Sequence, residues 1–194
     1  MIIGIDIDDT LTYLYDVKIK TAQDYIKKNK MPYKMVKSDA NFLSDMFDWP
    51  AEECDKFWLK ESDKMLSKVK ARDYASEVIK RLRQKGHKIL IITARNKEWH
   101  DDPYELSSTW LKKNDILFDE LLVGQMDKTQ VCVDEGVDIF IDDMPENLVK
   151  PYDLGIETIM VINPHNIGQT IYSGKSASSW LEIEKIINQI ELEN

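Results

Sequence analysis

From Tyr74 onward the sequence alternates short apolar runs with amphipathic stretches, and this rhythm limits the possible folds more than any other feature. Residues 88–92, 120–123, 138–141 and 157–162 read as strands, and an earlier apolar run over residues 1–7 carries Ile2, Ile3, Ile5 and Ile7. Between them, Tyr74, Val78 and Leu82 recur at four-residue spacing before Gly86, which describes an amphipathic helix closed by a glycine C-cap. Asp102, Pro103 and Glu105 supply the N-cap, first-turn proline and third-position acid of a capping box, opening a helix through Leu106 and Trp110. Ser179 and Glu182 offer a second box ahead of the stripe Ile183, Ile187 and Ile190. The expected architecture is α/β, a Rossmann-like parallel sheet flanked by helices. In such sheets ligands bind beyond the carboxyl ends of the strands.

Residues 13–72 break the rhythm. No convincing strand stands out there, and the segment reads as several helices, one starting after Trp49-Pro50. We expect a small helical cap over residues 13–72, inserted after the first strand of a catalytic core made of residues 1–12 and 73–194. No internal repeat or low-complexity linker marks the boundaries.

With 194 residues, 43% of them hydrophobic, the chain can bury a core without disulfides or metal staples. A net charge of -9 argues against a nucleic-acid polymer as partner, because backbone binding needs many cations to release counterions. The lysines at 18, 20, 27, 28, 30, 34 and 37 read as a solvated face. No apolar run approaches the ~20 residues of a membrane helix. The first seven residues lack the basic n-region of a signal peptide. Cys54 and Cys132 match no metal or redox spacing and read as reduced thiols, so a cytoplasmic location is expected. The sequence leaves assembly into a homo-oligomer open.

Polar residues cluster where the apolar strands stop: Asp6, Asp8, Asp9 and Thr10; Thr93 with Arg95; Lys128; Asp142 with Asp143. Phosphoryl transfer asks for these residue types. A phosphate monoester repels nucleophiles until cations neutralise its equatorial oxygens. Magnesium takes hard oxygen ligands from one or two carboxylates and from the substrate itself, and Asp6 and Asp142 are able to supply them. One of the paired acids Asp6 and Asp8 can attack phosphorus while the other serves as acid and base. Thr93 and Lys128 are placed to hold the transferring group.

These residues carry a resemblance. Asp6-Ile7-Asp8-Asp9-Thr10 looks like motif I of the haloacid dehalogenase (HAD) superfamily, Thr93-Ala94-Arg95 like motif II, Lys128 like motif III and Ile141-Asp142-Asp143 like motif IV, all in the family's order. The resemblance implies Asp6 as nucleophile and Asp8 as acid/base, with Thr93, Ala94, Arg95 and Lys128 around the phosphate. It further implies Mg2+ held by Asp6, the Asp8 carbonyl and Asp142, with Asp143 orienting metal-bound water, and a C1-type helical cap. The second motif I aspartate resembles the phosphatases of the superfamily and disfavours dehalogenation. The combination of motif I, Thr93-Ala94-Arg95, a short helical cap and Ile141-Asp142-Asp143 followed by Pro145-Glu146-Asn147 is similar to bacterial nucleotidases related to cytosolic 5'(3')-deoxyribonucleotidases, which implies a nucleoside monophosphate as substrate. Two positions depart from that pattern: Asp9 stands where those enzymes have glycine, and Thr93-Ala94-Arg95 where they have a Thr-Ser-Pro-like motif.

The alternatives are a phosphatase for sugar phosphates or another small metabolite and, in a different class, a phospho-accepting receiver module. An EF-hand reading of residues 6–17 fails at Leu11, where glycine is required, and a P-loop at Gly174-Lys175-Ser176 lacks its upstream glycine. His87, His100 and His165 share no ligand spacing and read as surface or loop residues. Phe42, Phe47, Trp49, Phe57 and Trp58 either form core or stack on a base.

Overall fold

The computed structural model describes residues 1–193. Its six strands are β1 (Ile2–Ile5), β2 (Lys88–Ile92), β3 (Glu120–Leu122), β4 (Ile139–Asp142), β5 (Glu157–Val161) and β6 (Lys175–Ala177). They form one sheet in the order β3-β2-β1-β4-β5-β6, with every pairing parallel. Strand β1 is flanked by β2 on one side and β4 on the other, so the chain direction across the sheet reverses at the β1/β4 pair. A crevice opens at such a switch point, beyond the carboxyl ends of the two strands.

The helices are α1 (Leu14–Lys28), α2 (Leu43–Met46), α3 (Ala51–Leu66), α4 (Ala75–Gln84), α5 (Pro103–Lys113), α6 (Lys128–Asp134), α7 (Pro145–Asp153) and α8 (Trp180–Glu193). On one face of the sheet Ile3, Ile5, Ile89 and Ile91 pack with Val78, Ile79 and Leu82 of α4 and Ile183, Ile187 and Ile190 of α8. On the other, Leu90, Ile92 and Phe140 pack with Cys132 of α6 and Leu148 of α7. Residues 14–66 build a separate apolar cluster around Met46, Phe47, Trp49 and Phe57. Each apolar face is thereby covered, which accounts for strands that are apolar throughout rather than alternating.

Local chemistry sets the helix ends. The Asp102 side chain accepts from the Glu105 amide at 2.9 Å, as the capping sequence predicts, but Glu105 turns to Thr109 instead of back to the cap. At α8 the Ser179 hydroxyl takes the Glu182 amide, while the Glu182 carboxylate reaches one residue further, to Ser178. Tyr74 is not part of the α4 stripe: its φ of 67° is left-handed, it is exposed, and the helix begins at Ala75. Gly86, at φ 89°, ends α4 where a side chain would be strained. Strand β6 went unread in the sequence, and it lies at the sheet edge beside β5.

Candidate active site

The strand ends bring the acids together. The Asp6 amide bonds the Ile141 carbonyl at 3.0 Å, extending the β1/β4 pairing one residue past the strand, so Asp6 and Asp142 face the same crevice. Lys128 arrives from the first turn of α6, whose start is fixed by Asp127 accepting the amides of Thr129 and Gln130. Its ammonium donates to Asp6 Oδ1 at 2.5 Å and to Asp142 Oδ2 at 2.7 Å, and all three side chains are buried. Asp142 also accepts from the Met144 amide at 2.8 Å and the Asn147 side chain at 3.1 Å.

Asp143 accepts from the Thr10 hydroxyl at 3.2 Å. Carboxylate oxygens of Asp6, Asp142 and Asp143 all lie within 4.8 Å of one another. Burial pushes the Asp6 carboxyl well above its ordinary value; Lys128 opposes this, and Asp142 and Asp143 add to it. Asp143 is raised likewise, first by burial and then by Asp142 and Asp9. Crowded, hard oxygen donors with one ammonium among them form a donor set that fits a small divalent cation.

Asp8 faces the crevice with its side chain 30% exposed and is gripped from the motif II side. Arg95 Nε donates to its Oδ2 at 2.9 Å and Nη2 to its Oδ1 at 2.6 Å, while Nη1 reaches the Ser107 hydroxyl of α5 at 3.3 Å. Burial would raise the Asp8 carboxyl, but the guanidinium beside it wins and holds it below its ordinary value. Thr93 is buried at the end of β2, its amide on the Leu122 carbonyl, and it lines the crevice beside Ala94.

Arg72, Asn163 and Trp180, which join this network, gave no readable signal in the sequence, whereas Asp9 and Thr10 were part of its acidic cluster. Asp9 adopts φ 60°, the left-handed region that glycine occupies freely. Its carboxylate takes the Tyr15 amide at 2.6 Å and Lys18 at 3.3 Å, so it caps the start of α1. Lys18 is therefore buried and paired, unlike the solvated face expected of its lysine run. The Asp9 carbonyl accepts from Arg72 at 3.0 Å and Asn163 at 2.9 Å, two side chains that also bond each other. Trp180, at the start of α8, donates its indole N–H to the Thr10 carbonyl at 3.2 Å.

The histidine side chains are all buried, so none is the surface residue the sequence allowed, although His87 and His100 do lie in loops. His165 lies 3.0 Å from Asp143 and packs against the Tyr15 ring at a tilt of 31°. His100 pairs with Asp63 of α3 at 2.6 Å, and His87 with Glu191 of α8 at 2.8 Å. The aromatics divide: Phe47, Trp49 and Phe57 are core, whereas Phe42 and Trp58 line the crevice together with Trp99. This crevice is a cavity of about 580 Å³ that runs from the aspartates to those rings. No helix among the described residues is long and apolar enough to cross a membrane.

Comparison with known proteins gives the family and the fold. A nucleotidase of Clostridium acetobutylicum is 26% identical over 191 residues, covering 97% of this chain and 94% of its own length. A haloacid dehalogenase-like hydrolase of Streptococcus pneumoniae superposes with a TM-score of 0.67 at 13% identity, covering 96% of this chain and 97% of its own. YfnB of Bacillus subtilis, solved bound to magnesium, does so with a TM-score of 0.62 at 15% identity, covering 96% and 98%. The family described as "5' nucleotidase, deoxy (Pyrimidine), cytosolic type C protein" matches residues 1–192. This chain belongs to that family and is a HAD-type phosphatase of the nucleotidase kind.

Proposed function

We propose that the chain hydrolyses (deoxy)nucleoside 5'-monophosphates through an aspartyl phosphate on Asp6. The observation that carries the reading is the meeting of Asp6, Asp142 and Lys128 at the β1/β4 switch point, with Asp8 beside them. Asp6 attacks phosphorus in line with the departing ester oxygen, and Asp8 protonates that oxygen. Water then attacks the acyl phosphate, and Asp8 takes its proton. Lys128 and the Thr93 hydroxyl neutralise the phosphoryl oxygens as the bonds change.

Asp6, the Asp8 carbonyl and Asp142 would hold Mg2+, with Asp143 fixed by Thr10 to orient a water. When bound, the ion supplies charge neutralisation to the phosphate and counters repulsion among the acids. The dense acidic cluster supports this assignment, as does the magnesium in YfnB.

Residues 13–72 act as the cap and residues 1–12 and 73–194 as the catalytic core. The cap contributes Lys18, Asn41, Phe42 and Trp58 to a cavity whose floor is acidic. Rings at one end and phosphoryl chemistry at the other suit a nucleoside monophosphate, and cap closure would keep bulk water from the acyl phosphate. Two unpaired thiols support a cytoplasmic location.

A magnesium-dependent screen of nucleoside monophosphates against hexose phosphates, with Asp6→Asn beside the wild type, tests the reading. Preferential release of phosphate from nucleotides, absent in Asp6→Asn, is the expected result. Equal turnover of hexose phosphates would overturn the substrate class. Stoichiometric labelling without turnover would point to a receiver instead.

A further inference from the structure

Motif II arginine was expected among the phosphate ligands, yet its donors point elsewhere. Nε and Nη2 of Arg95 form a two-pronged pair with both oxygens of Asp8, and Nη1 is held by Ser107. The Arg95 side chain is 2% exposed, and its backbone is fixed as well: the Arg95 carbonyl accepts from the Gly124 amide at 2.7 Å. A planar fork anchored at its far edge sets the plane of the carboxylate it grips. Asp8 has no other side-chain hydrogen bond among the described residues, so Arg95 alone fixes the orientation of that carboxylate.

We propose that Arg95 is a positioning residue that orients Asp8 for hydrolysis of the phosphoenzyme, and is not a phosphate ligand. The inference rests on the roles proposed above for Asp6 and Asp8. A carboxylate has about four lone-pair sites. The fork occupies one on each oxygen and leaves the others open to water. In the step concerned, a water oxygen forms a bond to phosphorus as the bond from phosphorus to the Asp6 carboxylate oxygen breaks. Asp6 is regenerated as a carboxylate, one water proton passes to Asp8, and inorganic phosphate leaves. Formation of the phosphoenzyme from an aryl phosphate needs no proton donor, because the phenolate departs unaided. Loss of Asp8 alignment therefore falls on the second half of the reaction.

Rapid-quench kinetics with p-nitrophenyl phosphate on Arg95→Lys and Arg95→Gln, with Asp8→Asn as benchmark, tests this. In Arg95→Gln, kcat is expected to fall by about 10- to 100-fold while kcat/KM stays within about threefold of wild type. Phosphoenzyme should accumulate after an initial burst, and inhibition by inorganic phosphate should keep its strength. Arg95→Lys retains the charge that faces Asp8 and should lie between the two; it carries the test if Arg95→Gln does not fold. Parallel losses in kcat and kcat/KM without phosphoenzyme, or weakened phosphate inhibition, would make Arg95 a phosphate ligand and overturn the proposal. The benchmark separates the two levels of inference. If Asp8→Asn itself accumulates no phosphoenzyme, the role given to Asp8 fails; if it does and the Arg95 variants do not, only the positioning role fails.

Discussion

Replacing Lys128 by methionine keeps much of the side-chain volume and removes one charge from the centre of the site. At an effective dielectric near 20, each contact of Lys128, at 2.5 Å to Asp6 and 2.7 Å to Asp142, is worth about 6 kcal/mol of gross attraction. Most of that is offset by the desolvation of three buried groups. What remains after removal of one partner is the penalty of leaving Asp6 and Asp142 uncompensated, about 3–5 kcal/mol. For a chain of this size that lowers the melting temperature by about 6–20 °C, readable by calorimetry without magnesium. The deficit has a pH signature. Burial raises the folded Asp6 and Asp143 carboxyls above the ordinary 3.8, so the native state holds their protons longer than the unfolded chain does. Stability is then fully present below that value and is lost as pH rises through the raised values. Without Lys128 the loss deepens, and the gap to wild type should widen with rising pH. Added magnesium should recover more stability in the variant than in the wild type, because the acids keep more of their negative potential. A melting shift below about 2 °C, or a gap that narrows as pH rises, would refute the reasoning.

Asp9→Gly relieves a left-handed φ of 60°, worth about 1–2 kcal/mol, but strands the buried Lys18 and uncaps the Tyr15 amide. A net loss of about 2–4 kcal/mol is expected in urea unfolding, and a more stable variant would show that the pair contributes nothing. Gly4→Ala puts a Cβ 2.9 Å from Ile92 Cδ1 and 3.2 Å from Phe140 Cδ2, between the central strands. Overpacking there should lower stability by about 1–3 kcal/mol, and an unchanged urea midpoint would contradict it.

The strands, helix caps and acids were legible because each announces itself locally. Ile89, Leu90, Ile91 and Ile92 form an unbroken apolar run that a doubly covered strand requires, and Asp6 and Asp142 stand where such runs end. Strand β6 had no such mark: Lys175 and Ser176 are exposed at an edge, and their pairing depends on β5. Arg72 and Asn163 escaped for a different reason. Arg72 meets Asp9 across 63 residues of sequence and Asn163 meets it across 154, so nothing in their own neighbourhoods names the partner. Arg95 was recognised as part of the site, yet its contact with Asp8, 87 residues away, is a matter of tertiary geometry. The buried histidines follow the same rule, since their pairing with Asp63, Glu191 and Asp143 depends on how distant elements pack.

The indole of Trp180 on the Thr10 carbonyl joins two segments 170 residues apart, so the second is made well after the first. A nascent chain that has folded its first five strands still lacks this support for the loop carrying the acids. Enzymatic competence should therefore wait until α8 has been made and docks, and translation products that stop before α8 should stay inert even where their sheet is in place.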